Sequence, residues 1–144
     1  MKVLVSDKMG EAGLDIFRNQ DGIELDVNTG LSPEELTEII GQYDALAIRS
    51  ATKVTKDILD AATNLKVIAR AGIGLDNVDI EEATKHGVAV MNTPGGNTVT
   101  TAEHAIAMMM ALTRNIPRGT MSMKDGRWDK KLLQGREINN KVFG

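Results

Sequence analysis

The sequence contains no cysteine among its 144 residues, which excludes disulfides, thiolate catalysis and cysteine metal sites. It also lacks an excess of charge of either sign. Its 17 Lys and Arg stand against 20 Asp and Glu, for a net charge of -3. That balance offers no electrostatic footprint for nucleic acid or an anionic membrane. No long hydrophobic run is present. The most apolar stretch, Ala105 to Leu112, is flanked by Glu103, His104 and Arg114 and falls far short of the roughly 20 residues a bilayer requires. The first seven residues, MKVLVSD, reach an acid at once and hold no small-residue cleavage site, so they do not read as a secretory leader. These absences point to a cytoplasmic protein with no membrane or nucleic-acid partner.

What is present is an ordinary globular composition, 42% apolar and 26% charged. A chain of this size buries roughly two-thirds of its unfolded surface and can build a core without staples.

Along the chain, apolar β-rich runs alternate with helical patterns. Val3 to Val5 reads as a buried strand, and Gly10 to Asn19 as a helix carrying Leu14, Ile16 and Phe17. Ile23 to Val27 alternates with period two, as an edge strand does. Ser32-Pro33-Glu34-Glu35 predicts a helix start with Ser32 as N-cap and Glu35 closing a capping box, followed by a buried stripe of Leu36, Ile39 and Ile40. Strands follow at Ala45–Ile48, Leu65–Ala69 and Val88–Met91, separated by helices capped by Thr55 and Asp79, the second ending at Gly87. Five strands separated by four helices predict an α/β fold with a parallel sheet and helices on both faces. Beyond Pro94 the pattern changes. Thr98 to Asn115 reads as one long helix broken by Pro117, residues 118–141 as polar and irregular, and Lys141 to Gly144 as the first residues of a further strand. A domain rarely stops inside a strand, so the chain is expected to be a fragment.

In an open parallel sheet, ligands bind beyond the carboxyl ends of the strands. Those ends carry Ser6-Asp7, Arg49-Ser50-Ala51-Thr52, Arg70-Ala71-Gly72-Ile73-Gly74 and Thr93-Pro94-Gly95-Gly96-Asn97. Arginines, hydroxyls, an amide and helix N-termini on one rim suit a small anion, a carboxylate or a phosphate. The plain alternative is that either arginine is a solvated loop residue paired with nearby acids. Gly72 to Asn77 matches only the first half of a G-x-G-x-x-G fingerprint, with Asn77 at the third glycine position. Glycines serving a tight turn are the better reading there.

The remaining signals are weaker. His86 sits at a helix end and suits a dipole contact, and neither it nor His104 has acidic partners at metal-ligand spacing, so no metal is expected. Met108 to Met110 read as core filler. Trp128 is either an interface anchor or a staple for its own arm. No Ser-His-Asp order fits, and no carboxylate pair stands out.

Four strings matter jointly: Arg49 to Thr55 (RSATKVT), Arg70 to Asp79 (RAGIGLDNVD), Val90 to Pro94 (VMNTP) with Gly96-Asn97, and Ser122 to Trp128 (SMKDGRW). Their order and spacing resemble the D-isomer-specific 2-hydroxyacid dehydrogenases, over residues 2 to 144. The resemblance implies an enzyme with two doubly wound domains that uses NAD to oxidise a small anionic 2-hydroxy acid. The form it points to oxidises 3-phosphoglycerate to 3-phosphohydroxypyruvate, the first step of serine synthesis. Residues 1–95 would be a flavodoxin-like, five-stranded substrate-binding domain. Residues 96–144 would be the leading helix and arm of a second, Rossmann domain, truncated before its glycine-rich loop. The resemblance assigns substrate binding to Arg49, Ser50, Ala51, Thr52, Arg70, Gly72, Ile73, Asn97 and Lys130. The amides of Gly72 and Ile73 would take the carboxylate, and Lys130 would reach a neighbouring subunit's substrate. It sets Ile73 and Thr101 against the cofactor, although many relatives carry Thr where this chain has Ile73. It further implies a homo-oligomer built through the 98–140 helix and arm. The catalytic arginine, glutamate and histidine of such enzymes find no counterpart here, so this chain alone is expected to be inactive. The competing readings are a stand-alone small-anion binding module and a dimerisation fragment. A receiver-type signalling domain is discounted, because Arg49-Ser50 stands where a second acid would be needed.

Overall fold

The computed structural model describes all residues, 1–144. The chain divides into two units, Met1–Gly96 and Asn97–Gly144.

The first unit alternates β1 (Lys2–Val5), α1 (Glu11–Arg18), β2 (Glu24–Val27), α2 (Pro33–Ile39), β3 (Ala45–Ile48), α3 (Lys56–Ala61), β4 (Val67–Arg70), α4 (Ile80–Lys85) and β5 (Ala89–Met91). The five strands form one parallel sheet in the order β2-β1-β3-β4-β5. The chain therefore winds one way from β1 to β2 and the other way from β2 onward. Crossovers of parallel strands are right-handed, so reversing direction moves the helices to the opposite face. The core shows this division. Leu4, Leu46, Ile48 and Ile68 pack with Leu36, Ile58, Leu59 and Ala83 of α2, α3 and α4. Val5 and Ala47, pointing the other way, pack with Leu14 of α1. With α1 alone on its face, Met91 of the edge strand stays 58% exposed.

Local sequence explains most boundaries. The capping box is complete: Ser32 Oγ accepts from the Glu35 N–H at 3.2 Å, and Glu35 Oε2 accepts from the Ser32 N–H at 2.8 Å. Asp79 accepts from the Glu82 N–H at 3.0 Å, and Gly87 leaves α4 at φ 71°. Thr55 departs from expectation. It precedes α3, but its side chain caps nothing. The entering chain is held by backbone instead, through a Val54 N–H to Asn77 carbonyl bond of 2.8 Å and an Asp79 N–H to Val54 carbonyl bond of 3.0 Å.

The second unit holds α5 (Thr98–Thr113), α6 (Ile116–Lys124) and a 3-10 turn at Lys130–Leu133. Two expectations are corrected here. The break falls at Asn115, in the left-handed region at φ 54°, and Pro117 lies in the first turn of α6, where its missing N–H leaves no bond unmade. The stretch read as irregular thus begins with a helix. Lys141 to Gly144 form no strand. A strand exists by bonding to a neighbour, and here Val142 is fully exposed with nothing beside it to pair with. No helix is long and apolar enough to cross a membrane.

Candidate functional site

The candidate site lies at the carboxyl ends of β1, β3 and β4, beside the point where strand order reverses between β1 and β3. Ser6 and Asp7 follow β1 and are buried. The Asp7 carboxylate accepts four groups of the loop after β3. They are the N–H of Arg49 at 2.6 Å, of Ala51 at 3.2 Å and of Thr52 at 3.1 Å, and the Thr52 hydroxyl at 2.8 Å. Ser6 Oγ lies 2.8 Å from the same hydroxyl. Burial pushes the Asp7 carboxyl upward, but the bonds from Arg49, Thr52 and Ala51 outweigh it and hold it below its ordinary value. Asp7 is therefore the internal anion around which the loop folds.

The two arginines play different parts. Arg70, the last residue of β4, is buried. Its Nε donates to the Arg49 carbonyl at 3.0 Å and its Nη1 to the Gly74 carbonyl, with a long contact of 3.4 Å from Nη2 to Ser50 Oγ. Its guanidinium is committed to the protein's own groups, with Asp76 Oδ1 3.6 Å from Nη1 as well. Arg49 is exposed, and its guanidinium makes a single long contact of 3.4 Å to the Lys8 carbonyl. Of the two arginines on this rim, Arg49 is the one free to meet an anion.

The loop after β4 closes the other side. Asn77 is buried, and its Nδ2 donates to the carbonyls of Arg49 at 2.9 Å and Thr52 at 2.7 Å. The Gly72 N–H is taken by the Arg70 carbonyl at 2.9 Å, and the Gly72 carbonyl accepts the Thr93 N–H at 2.9 Å. Asn92 Nδ2 donates to the Ile73 carbonyl at 2.8 Å. The Ile73 N–H bonds to no protein group, and Ile73 is 43% exposed. The chain turns tightly here, with the Gly72 N–H on the Arg70 carbonyl, but neither Gly72 nor Gly74 has positive φ. Gly74 leaves space instead: a Cβ there would stand 3.0 Å from Arg70 Nη1 and 2.8 Å from Asp76 Oδ1.

The first unit thus brings together Arg49, Ser50, Ala51, Thr52, Arg70, Gly72 and Ile73. Asn97, Thr101 and Lys130 belong to the second unit. There Asn97 precedes α5 without capping it, its carbonyl accepts the Thr101 N–H at 2.9 Å, and Lys130 is exposed in the 3-10 turn. Two residues that sequence reasoning left without a role organise the rim, Asp7 and Asn77. Asp7 read as one more polar strand end, and Asn77 only as a fault in a glycine motif.

NAD does not fit the glycine-rich loop of this chain. A diphosphate cradle needs glycine backbone open to the ligand at a helix N-terminus. At Gly74 the place of a missing side chain is occupied by Arg70 and Asp76. A second correction concerns His86. Its Nε2 lies 3.1 Å from Asp60, and Glu82 stands four residues before it. Ligand atoms of Asp60, Glu82 and His86 come within 4.8 Å of one another. Lys56 bridges the two carboxylates at 3.1 Å each and Lys85 pairs with Glu82 at 2.9 Å, so the group is an ion network joining α3 and α4.

Comparison with known proteins bears on the family and the fold. The family model "D-isomer specific 2-hydroxyacid dehydrogenase, catalytic domain" matches residues 3–139. A D-3-phosphoglycerate dehydrogenase of Archaeoglobus fulgidus is 48% identical over 144 residues, covering 100% of this chain and 27% of the relative. A hydroxypyruvate reductase of Thermotoga maritima is 44% identical over 143 residues, covering 99% and 46%. The NAD+-bound 3-phosphoglycerate dehydrogenase of Entamoeba histolytica superposes with a TM-score of 0.75 at 30% identity, covering 96% of this chain and 43% of that one. The chain thus spans about a quarter of the first relative's length and under half of the others'.

Proposed function

Because the chain belongs to the D-isomer specific 2-hydroxyacid dehydrogenases, we propose that it forms the substrate-binding portion of an NAD-dependent enzyme oxidising 3-phosphoglycerate to 3-phosphohydroxypyruvate. The observation that carries this reading is the free Arg49 guanidinium at the end of a central strand, on a loop whose backbone is held by Asp7 and Arg70. A substrate with two anionic groups, a carboxylate and a phosphate, suits such a cation. Arg49 takes one anionic group of the substrate, and the unbonded Ile73 amide offers a donor to the carboxylate. Ser50, Ala51 and Thr52 shape the wall beside Arg49, while the family resemblance gives further substrate contacts to Asn97 and, toward a neighbouring subunit's substrate, to Lys130, both in the second unit. Arg70 and Gly72 act from behind by fixing the loops, since the Arg70 guanidinium and the Gly72 N–H both bond backbone carbonyls. In the intact enzyme NAD would supply the hydride acceptor, and the family resemblance offers Ile73 of the first unit and, separately, Thr101 of the second as its contacts. This chain alone supplies no clear catalytic base. His86 is engaged with Asp60 and the Glu82 carbonyl. The enzyme works in the cytoplasm as a homo-oligomer, with the 98–140 helix and arm, rich in exposed apolar residues such as Met108 and Leu112, as its contact surface.

The test is a steady-state assay of the full-length gene product with NAD and a panel of 2-hydroxy acids that pairs 3-phosphoglycerate with unphosphorylated glycerate. Turnover with a strong preference for the phosphorylated acid is expected. Arg49→Ala should raise KM for it by about 10- to 100-fold, the worth of a charged hydrogen bond. Turnover of glycerate alone would move the assignment toward a hydroxypyruvate reductase. No turnover of any 2-hydroxy acid would overturn it.

A further inference from the structure

We propose that Asp7 and Asn77 are positioning residues for the substrate anion, clamping the backbone of Arg49 and Thr52 from opposite sides so that the Arg49 side chain is presented to the ligand. This inference rests on the substrate reading above and goes beyond it to two residues that touch no substrate. The clamp is reciprocal. Asp7 accepts the N–H groups of Arg49 at 2.6 Å and Thr52 at 3.1 Å. Asn77 donates to the carbonyls of the same two residues, at 2.9 Å and 2.7 Å. A loop of four residues is thereby fixed at both ends and on both edges of its peptide groups, while the Arg49 guanidinium keeps one long contact. Binding energy is lost when a ligand must first order the group that holds it, and a pre-fixed backbone removes that cost.

Asn77 Oδ1 is buried and has no hydrogen-bond partner. Most buried side-chain acceptors are paired, so the two donor bonds to the loop, and not its oxygen, set the placement of this amide. Asn77 is positioned by its amide donors, which serve the loop, at the expense of its oxygen. Asp7 carries the complementary role as a buried anion. The bonds it accepts hold its pKa below the ordinary value, which favours the charged form.

The test is a double-mutant cycle in the full-length enzyme with 3-phosphoglycerate, using Asp7→Asn, Arg49→Ala and the pair. The first substitution sets an amide donor among three N–H groups and spoils the clamp. Asp7→Asn is expected to raise KM for 3-phosphoglycerate about tenfold while KM for NAD changes less than about twofold. In the Arg49→Ala background it should add almost nothing, because both changes remove the same interaction. If the two effects multiply, or if Asp7→Asn leaves KM unchanged where Arg49→Ala raises it, the clamp is wrong and the substrate reading survives. If Arg49→Ala itself has no effect, the substrate reading falls and takes the clamp with it. Should Asp7→Asn give no cooperative melting transition, the isosteric Thr52→Val, which strips one of the four bonds to Asp7, decides by the same cycle.

Discussion

Arg70 donates its Nε–H to the carbonyl oxygen of Arg49 at 3.0 Å, so one arginine of the rim holds the other's backbone in place. The two side chains look equivalent in the sequence and are opposite in burial. Their substitutions should therefore separate stability from ligand binding.

Arg70→Lys replaces a planar fork by a point donor that cannot serve the Arg49 and Gly74 carbonyls together. Losing one hydrogen bond from a charged donor costs about 1.5–3 kcal/mol, to be seen as a lowered urea midpoint. Arg49→Lys, at an exposed position, should stay within about 0.5 kcal/mol of the parent. Equal stability of the two variants would contradict the division of roles.

The glycines after β4 should also differ. A Cβ at Gly74 would press on Arg70 Nη1 at 3.0 Å, whereas at Gly72 the nearest atoms lie at 3.5 Å, ordinary contact. Gly74→Ala is expected to destabilise by about 1 kcal/mol or more by crowding a fixed group. Gly72→Ala should be close to neutral. Thermal melts of the pair decide, and the reverse ranking would show that Arg70 is not the constraint.

Asp7 makes a pH prediction. Its folded pKa lies below the ordinary 3.8, so folding favours the charged form. Its contribution is fully present above the unfolded value and is lost as pH falls through the folded one. Urea midpoints of the parent should therefore decline below about pH 4 more steeply than those of Asp7→Asn, with the gap between the two narrowing. Parallel curves would mean that the four bonds to Asp7 do not persist in solution.

Tyr43, the sole tyrosine, gives a clean optical signal at the other end of the sheet. Burial first, then its hydrogen bond of 2.9 Å to Asp26 and the charges of Asp26 and Glu24, push its pKa up to about 12 from 10.0. Phenolate absorbance should rise only near pH 12 in the folded protein, and stability should fall between pH 10 and 12, where the unfolded chain has already lost the proton. Asp26→Asn should bring the titration down. An ionisation at the ordinary value would show that Tyr43 is not buried against β2.

The regular part of the fold was legible because local rules act within a few residues. Ser32, Pro33 and Glu35 build their capping box from one turn of chain, Asp79 and Gly87 bound α4 in the same way, and the βα alternation dictates a parallel sheet. Where a feature depends on partners far along the chain, sequence reading failed. Lys141 to Gly144 have the composition of a strand and no neighbour to bond, and Thr55 gives way to a backbone bridge between Val54 and Val78.

The site follows the same line. The sequence by itself determined that arginines, hydroxyls and free amides gather at the strand ends, because the order of elements fixes which loops share a rim. Only the tertiary structure decided which arginine is free. Hydrogen bonds to backbone carbonyls reach over 21 residues to bind Arg70 and over 28 to place Asn77, and contacts that long depend on how the strands lie side by side.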